Sequence, residues 1–292
     1  MGIASKSTIK YALFICFLSF KAFSFSQNSA DCDLRFINHL VNRGNYHEAL
    51  YLLDSTDCSL NQLNDSVFYL RGWSLYSLKK LLQSSENLIR VSSSSEFYLK
   101  SHFFAAYNYT HSGNYEIALK TLSDISIQSE RELSLHNLEL AGIFLLQGNL
   151  IKFDESVSLI NRNQYEISES YDNLLRISTD MKTHKKKSPF VAGLISGIIP
   201  GSGKLYSGKK GEAITTFIST VGLALVTAES YRKTGFNSFR TIASGTAFVF
   251  SYVANIYGAL MTVNIIETEY NDNVKNSILF NLHIPIRNTF DR

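Results

Sequence analysis

Proline, cysteine and tryptophan are scarce in this chain: three, three and one among 292 residues. So few prolines, beside 20 Phe and 16 Tyr, fit packed helices and a membrane belt better than disorder. Three cysteines and seven scattered histidines do not supply the ligand spacing of a tetrahedral metal site, and no metal or other cofactor is expected. A nucleophile elbow, an HExxH run, a CxxC pair and a paired-carboxylate framework are all missing, so no catalytic residue is assigned and the chain is not expected to be an enzyme. Charge of one sign is also lacking. The net +3 conceals a segment 28–164 at −4 and a segment 165–292 at +4, neither of which forms the clustered basic face that nucleic acid requires.

What is present begins with a secretory signature over residues 1–26. Lys6 and Lys10 precede a ten-residue run, Tyr11 to Phe20, that is apolar except for Ser19, and Ser24-Phe25-Ser26 places small residues for cleavage before Gln27. The run is short for a spanning helix, although an uncleaved anchor is the alternative. Cys16 would leave with the signal. Asp31 before Cys32 breaks any lipidation signal.

The most informative stretch is Pro200-Gly201-Ser202-Gly203-Lys204-Leu205-Tyr206-Ser207-Gly208. Gly203-Lys204 invites a phosphate-loop reading, and spacing removes it. Ile198 stands where the first glycine belongs, and Leu205 replaces the magnesium-binding hydroxyl. No nucleotide is expected. The flanks give a different meaning. Ile242 to Ile266 is uncharged for 25 residues, ample for a span, and Ala213 to Ala228 is adequate with its flanks. Phe190 to Ile199 is too short to cross and reads as a re-entrant or interfacial helix broken by Pro200-Gly201. Asn255 and Tyr252 are polar within the second span, where hydrogen bonding across the hairpin is the expected use and lining a transport path the alternative; Tyr257 is a further intramembrane polar candidate.

Residues 27–164 carry a period near 35. Gly44-Asn45-Tyr46 recurs as Gly113-Asn114-Tyr115 and Gly148-Asn149-Leu150, leaving room for a degenerate copy with its turn at Lys79-Lys80. Units start near Ala30, Asp65, Leu99 and Ser134. The pattern resembles the tetratricopeptide repeat, in about four units; a non-repeat helical bundle is the alternative. The resemblance implies a concave partner-binding face, here Tyr69, Trp73, Tyr76, Phe103 and Tyr107, with interior packing as the competing role for these aromatics. It also brings Cys32 and Cys58 near each other at the ends of the first helix pair, as a disulfide or as two buried thiols. Tyr165 to Met181 reads as a capping helix that, over 165–187, leads through Lys185-Lys186-Lys187 to the bilayer.

Residues 188–270 resemble a bacterial two-helix membrane domain of unknown function that occurs behind such repeats. The signature is Ser188-Pro189, Ala192-Gly193, Ser196, then Pro200-Gly201-x-Gly203-x-x-Tyr206-x-Gly208, and later Asn255-Ile256-Tyr257-Gly258. Lys204 departs from it, standing where a glutamine or similar residue is usual. Residues 271–292 form a polar tail whose apolar alternation, Ile278 to Ile286, suggests a strand. The expected fold class is all-α: a tetratricopeptide-like array followed by a transmembrane hairpin. The expected function is a membrane-anchored periplasmic scaffold that binds a protein or peptide partner, held in a bacterial inner membrane. The alternative is a membrane module acting in transport or membrane-protein insertion. Basic residues on the repeat side, Lys185–187, Lys204, Lys209 and Lys210, run against the positive-inside preference, and a three-span path with a cytoplasmic tail is the other topology.

Overall fold

The computed structural model describes residues 33–54 and 65–290. The expected signal segment, Cys32 and Cys58 lie outside the described residues. Thirteen α-helices are the regular elements among the described residues. The chain divides into two compact units, Met1–Ser126 and Ile127–Arg292.

The first unit is a run of helix pairs: α1 (Leu34–Asn42) with α2 (Tyr46–Leu53), α3 (Asp65–Ser77) with α4 (Leu81–Leu88), and α5 (Tyr98–His111) with α6 (Tyr115–Ser123). Asp33 starts the first helix by accepting the backbone N–H groups of Arg35 and Phe36 at 3.0 and 3.1 Å, which satisfies two of its orphan donors. Ile37, Val41, Ala49, Leu53, Val67 and Leu70 close the first core. Between helices of a pair the chain turns on a left-handed residue: Gly44 at φ +82°, Lys79 at +62° and Gly113 at +80°. In the second pair Lys79 holds the αL conformation that glycine holds in the others, at a steric cost carried by its Cβ. Here the small residues do specific work. A Cβ on Gly72 would stand 2.6 Å from the Leu88 side chain, so α3 and α4 touch at closest approach there. Ser84 Oγ donates to Gly72 O at 2.7 Å and accepts from Asn108 Nδ2 at 3.1 Å, tying α3, α4 and α5 through one buried hydroxyl.

The second unit opens with a fourth pair, α7 (Glu130–Leu146) and α8 (Leu150–Ser158), turning on Gly148 at φ +71°. The four left-handed turn residues thus recur at spacings of 35, 34 and 35 residues. Ser129 and Glu132 form a reciprocal capping box at the start of α7. α9 (Tyr165–Thr183) follows, then α10 (Pro189–Ile198), α11 (Ser202–Ser207), α12 (Lys210–Thr234) and α13 (Phe239–Phe290). α12 and α13 are long and apolar enough to cross a membrane. Many of their apolar side chains, among them Ile214, Ile218, Leu225, Val249, Phe250 and Ile265, point outward and are exposed.

The structure corrects the reading of residues 271–290. They are not a strand; α13 continues through them for 52 residues in all, about 78 Å at 1.5 Å per residue. Ile278, Leu279, Leu282 and Ile286 are buried, at helical spacing. This half of α13 packs on α7 and α9. Gly142 of α7 receives Leu282, Arg131 donates to Thr289 O at 3.1 Å, and Asn173 of α9 donates to Asn281 Oδ1 at 2.8 Å. The chain leaves α9 into α12 and returns along α13 to α9, so both ends of the α12–α13 hairpin meet at one end of the unit.

Candidate functional site

The Pro-Gly stretch is where the second unit gathers its polar groups. Ser188 caps α10 and Pro189 occupies its first turn, where a missing N–H costs nothing. Pro200 and Gly201 end it. Gly201 has φ +85°, and a Cβ there would collide with Ala213 O, so only glycine fits. Ending a helix among apolar side chains strands its last carbonyls. α13 supplies the repair. Asn255, 3% exposed, donates from Nδ2 to Ser196 O at 2.9 Å and accepts the Gly201 N–H at 2.8 Å on Oδ1. Tyr252 donates its hydroxyl to Gly197 O. Ser196 Oγ accepts the Gly203 N–H at 2.9 Å. Three elements are thereby joined across a backbone break.

Close packing makes this possible. A Cβ on Gly203 would meet Ala192 O and stand 2.7 Å from Ala259 Cβ; one on Gly193 would stand 2.8 Å from the Leu260 side chain. Ala192, Ala259 and Val263 form the small apolar core beside the turn. Tyr206 accepts the Ser188 N–H at 3.3 Å, and Lys187 Nζ lies 5.9 Å from the Tyr206 ring centre. Gly208, φ +94°, closes α11. Lys204 lies 3.6 Å from the Glu212 carboxylate, with its stem passing Gly258. Pro200, Gly201, Gly203, Tyr206 and Gly208 therefore belong to one assembly with Asn255. Tyr257 does not join it; its side chain faces outward at 60% exposure.

A second cluster ties the linker to α13 just beyond the apolar run, and sequence reasoning missed it. His184 Nε2 lies 2.9 Å from Glu267 Oε2, the His184 ring stacks on Tyr270 at 3.7 Å, and Glu267 Oε1 accepts the Lys187 N–H at 3.1 Å. The hydrogen bond from His184, then that from the Lys187 backbone, hold the Glu267 carboxyl below its ordinary range. The acidic-basic spacing across 83 residues carried no local signal.

In the first unit, Tyr69, Trp73 and Tyr76 share one face of α3. Tyr69 stacks on Phe97 at 4.2 Å and Trp73 meets Phe104 edge-on at 5.0 Å. Lys100 Nζ sits 4.2 Å over the Trp73 ring. The three α3 aromatics are half-buried. Phe103 is fully buried and Tyr107 is 8% exposed, so these two pack in the interior and the accessible strip is narrower than the sequence suggested.

No protein-family model, curated protein or solved structure matches this chain.

Proposed function

We propose that the protein is a membrane-anchored scaffold of the bacterial cell envelope, with tetratricopeptide-like repeats that bind a protein or peptide partner. The observation that carries this reading is the stacked, half-buried strip Tyr69–Trp73–Tyr76 on α3, a concentration of large rigid side chains suited to an interface anchor. The 35, 34 and 35-residue recurrence of left-handed turns supports the tetratricopeptide likeness. The outward apolar surfaces of α12 and α13 support bilayer insertion, since water would penalise them and acyl chains would not. Two spans with α10–α11 re-entrant leave the end of α13 on the side of α9, and the secretory signature puts that side in the periplasm of an inner-membrane protein. The transport alternative loses its best candidate group, because Asn255 spends both polar atoms on the broken backbone of α10.

The test is crosslinking in native membranes with Trp73→Ala/Tyr76→Ala beside the natural chain, after alkaline extraction has shown whether the chain is integral. Loss of a discrete crosslinked species in the double variant, with helical content unchanged, supports the scaffold. Persistence of that species places the partner surface elsewhere.

A further inference from the structure

At the turn between α12 and α13 the hairpin leaves a groove of about 530 Å³ between the two helices. Its polar lining includes Glu229, Ser230 and Lys233 from α12 with Arg240 and Ser244 from α13, two cations against one carboxylate. Its apolar lining is Val226, Phe239 and Ala243, and Val226 and Phe239 are exposed on the surface of the hairpin. Lys233 pairs with Glu229 at 2.5 Å, one helical turn away. Arg240 makes no close ion pair among the described residues and acts on Glu229 only through space. We infer that this groove holds the headgroup of an anionic phospholipid, with Arg240 and Lys233 against the phosphate and an acyl chain along Val226 and Ala243. The inference rests on the bilayer reading above.

Charge selects the occupant. Residues 229–240 carry Arg232, Lys233 and Arg240 against Glu229, a net +2. A second copy of this chain would bring the same positive end into the groove and be repelled. A zwitterionic lipid offers no net charge to match. An anionic headgroup neutralises Arg240 without displacing Glu229 from Lys233, and guanidinium binds phosphate in a two-pronged geometry that ammonium lacks. The amphipathic walls fit one molecule with a charged end and an apolar body. Each basic side chain near an anionic lipid surface contributes about fivefold in binding.

Native mass spectrometry of the full chain in detergent, supplied with phosphatidylglycerol or phosphatidylcholine, tests this. The natural chain should retain one phosphatidylglycerol at least about fivefold in preference to phosphatidylcholine. Arg240→Gln should abolish the preference, Arg240→Lys should keep part of it, and Ser244→Leu, which fills the groove, should lower retention of the lipid. Equal retention of the two lipids, or an Arg240→Gln variant that behaves as the natural chain, overturns the inference. Alkaline extraction of the starting membranes separates the two failures: a chain released by alkali overturns the bilayer reading itself, whereas an integral chain without lipid preference overturns only the groove assignment.

Discussion

Asn255 and Gly201 are 54 residues apart in the chain and 2.8 Å apart across a hydrogen bond, carboxamide oxygen to backbone N–H. The same carboxamide reaches Ser196 O, so one side chain spans the gap between the end of one helix and the start of the next. Substituting Asn255→Leu keeps the branching in a somewhat larger side chain and removes both bonds. Two backbone groups would then sit unsatisfied among apolar atoms, at about 1–3 kcal/mol each. Thermal unfolding in detergent should show a loss of about 2–6 kcal/mol relative to the natural chain. A shift near zero would mean the turn is repaired by other groups.

Gly203→Ala and Gly222→Ala make a matched pair on neighbouring elements. The first drives a methyl into Ala192 O and Ala259 Cβ; the second meets nothing within 4 Å among the described residues. The expected cost at Gly203 is about 1–3 kcal/mol. At Gly222 the change should be neutral or slightly stabilising, since alanine is the better helix former. Denaturant titration of both variants checks the difference. Equal behaviour would show that α11 is free to move away from α10.

Glu139 on α7 is fully buried, and neither carboxylate oxygen has a hydrogen-bond partner among the described residues. Burial pushes its pKa well above the ordinary carboxylate value. The folded protein therefore holds a proton that the unfolded chain releases, and stability falls as pH rises from the unfolded value, about 4.3, toward the folded one. Glu139→Leu should raise the unfolding temperature at pH 7, with the gain shrinking as pH approaches 4. A variant equally stabilised at both pH values would place the benefit in packing alone.

The Glu267 latch has the opposite sign. Its depressed pKa contributes stability that is fully present above the unfolded value and is lost as pH falls through the folded one. Glu267→Ala removes the hydrogen bonds that His184 and the Lys187 N–H make to α13 and leaves only the stack of His184 on Tyr270. Trypsin should then cut at Lys185–187 several-fold faster than in the natural chain at pH 7. The natural chain should gain the same susceptibility after acidification below its Glu267 transition, read with an acid-tolerant protease. Unchanged cleavage would show that the linker is held by other contacts.

Local patterns made much of the fold legible. The Gly-Asn steps at Gly44, Gly113 and Gly148 announce three turns, and period alone finds the fourth at Lys79, which takes the same αL conformation without glycine. The Tyr165 to Met181 periodicity appears as α9, ending two residues later. The Pro-Gly break and the polarity of Asn255 were visible, but not that one completes the other, because a hydrogen bond across 54 residues leaves no spacing to read. The end of α13 was misread for a physical reason. Pro285 and scattered polar residues obscure a helical stripe of Ile278, Leu279, Leu282 and Ile286 whose meaning comes from α7, where Gly142 makes room for Leu282. Phe103 and Tyr107 carry the same lesson. Aromatic spacing places them on α5, and only the neighbouring pairs decide that they face inward.

The unbroken course of α13 makes it a lever arm. From Ile266 to Phe290 it projects about 36 Å past the apolar run without a loop. A rigid rod of that length turns a tilt of ten degrees into roughly 6 Å of travel at its tip. On the bilayer reading proposed above, a tilt of the hairpin would be passed along this one helix to the seat of Leu282 on α7.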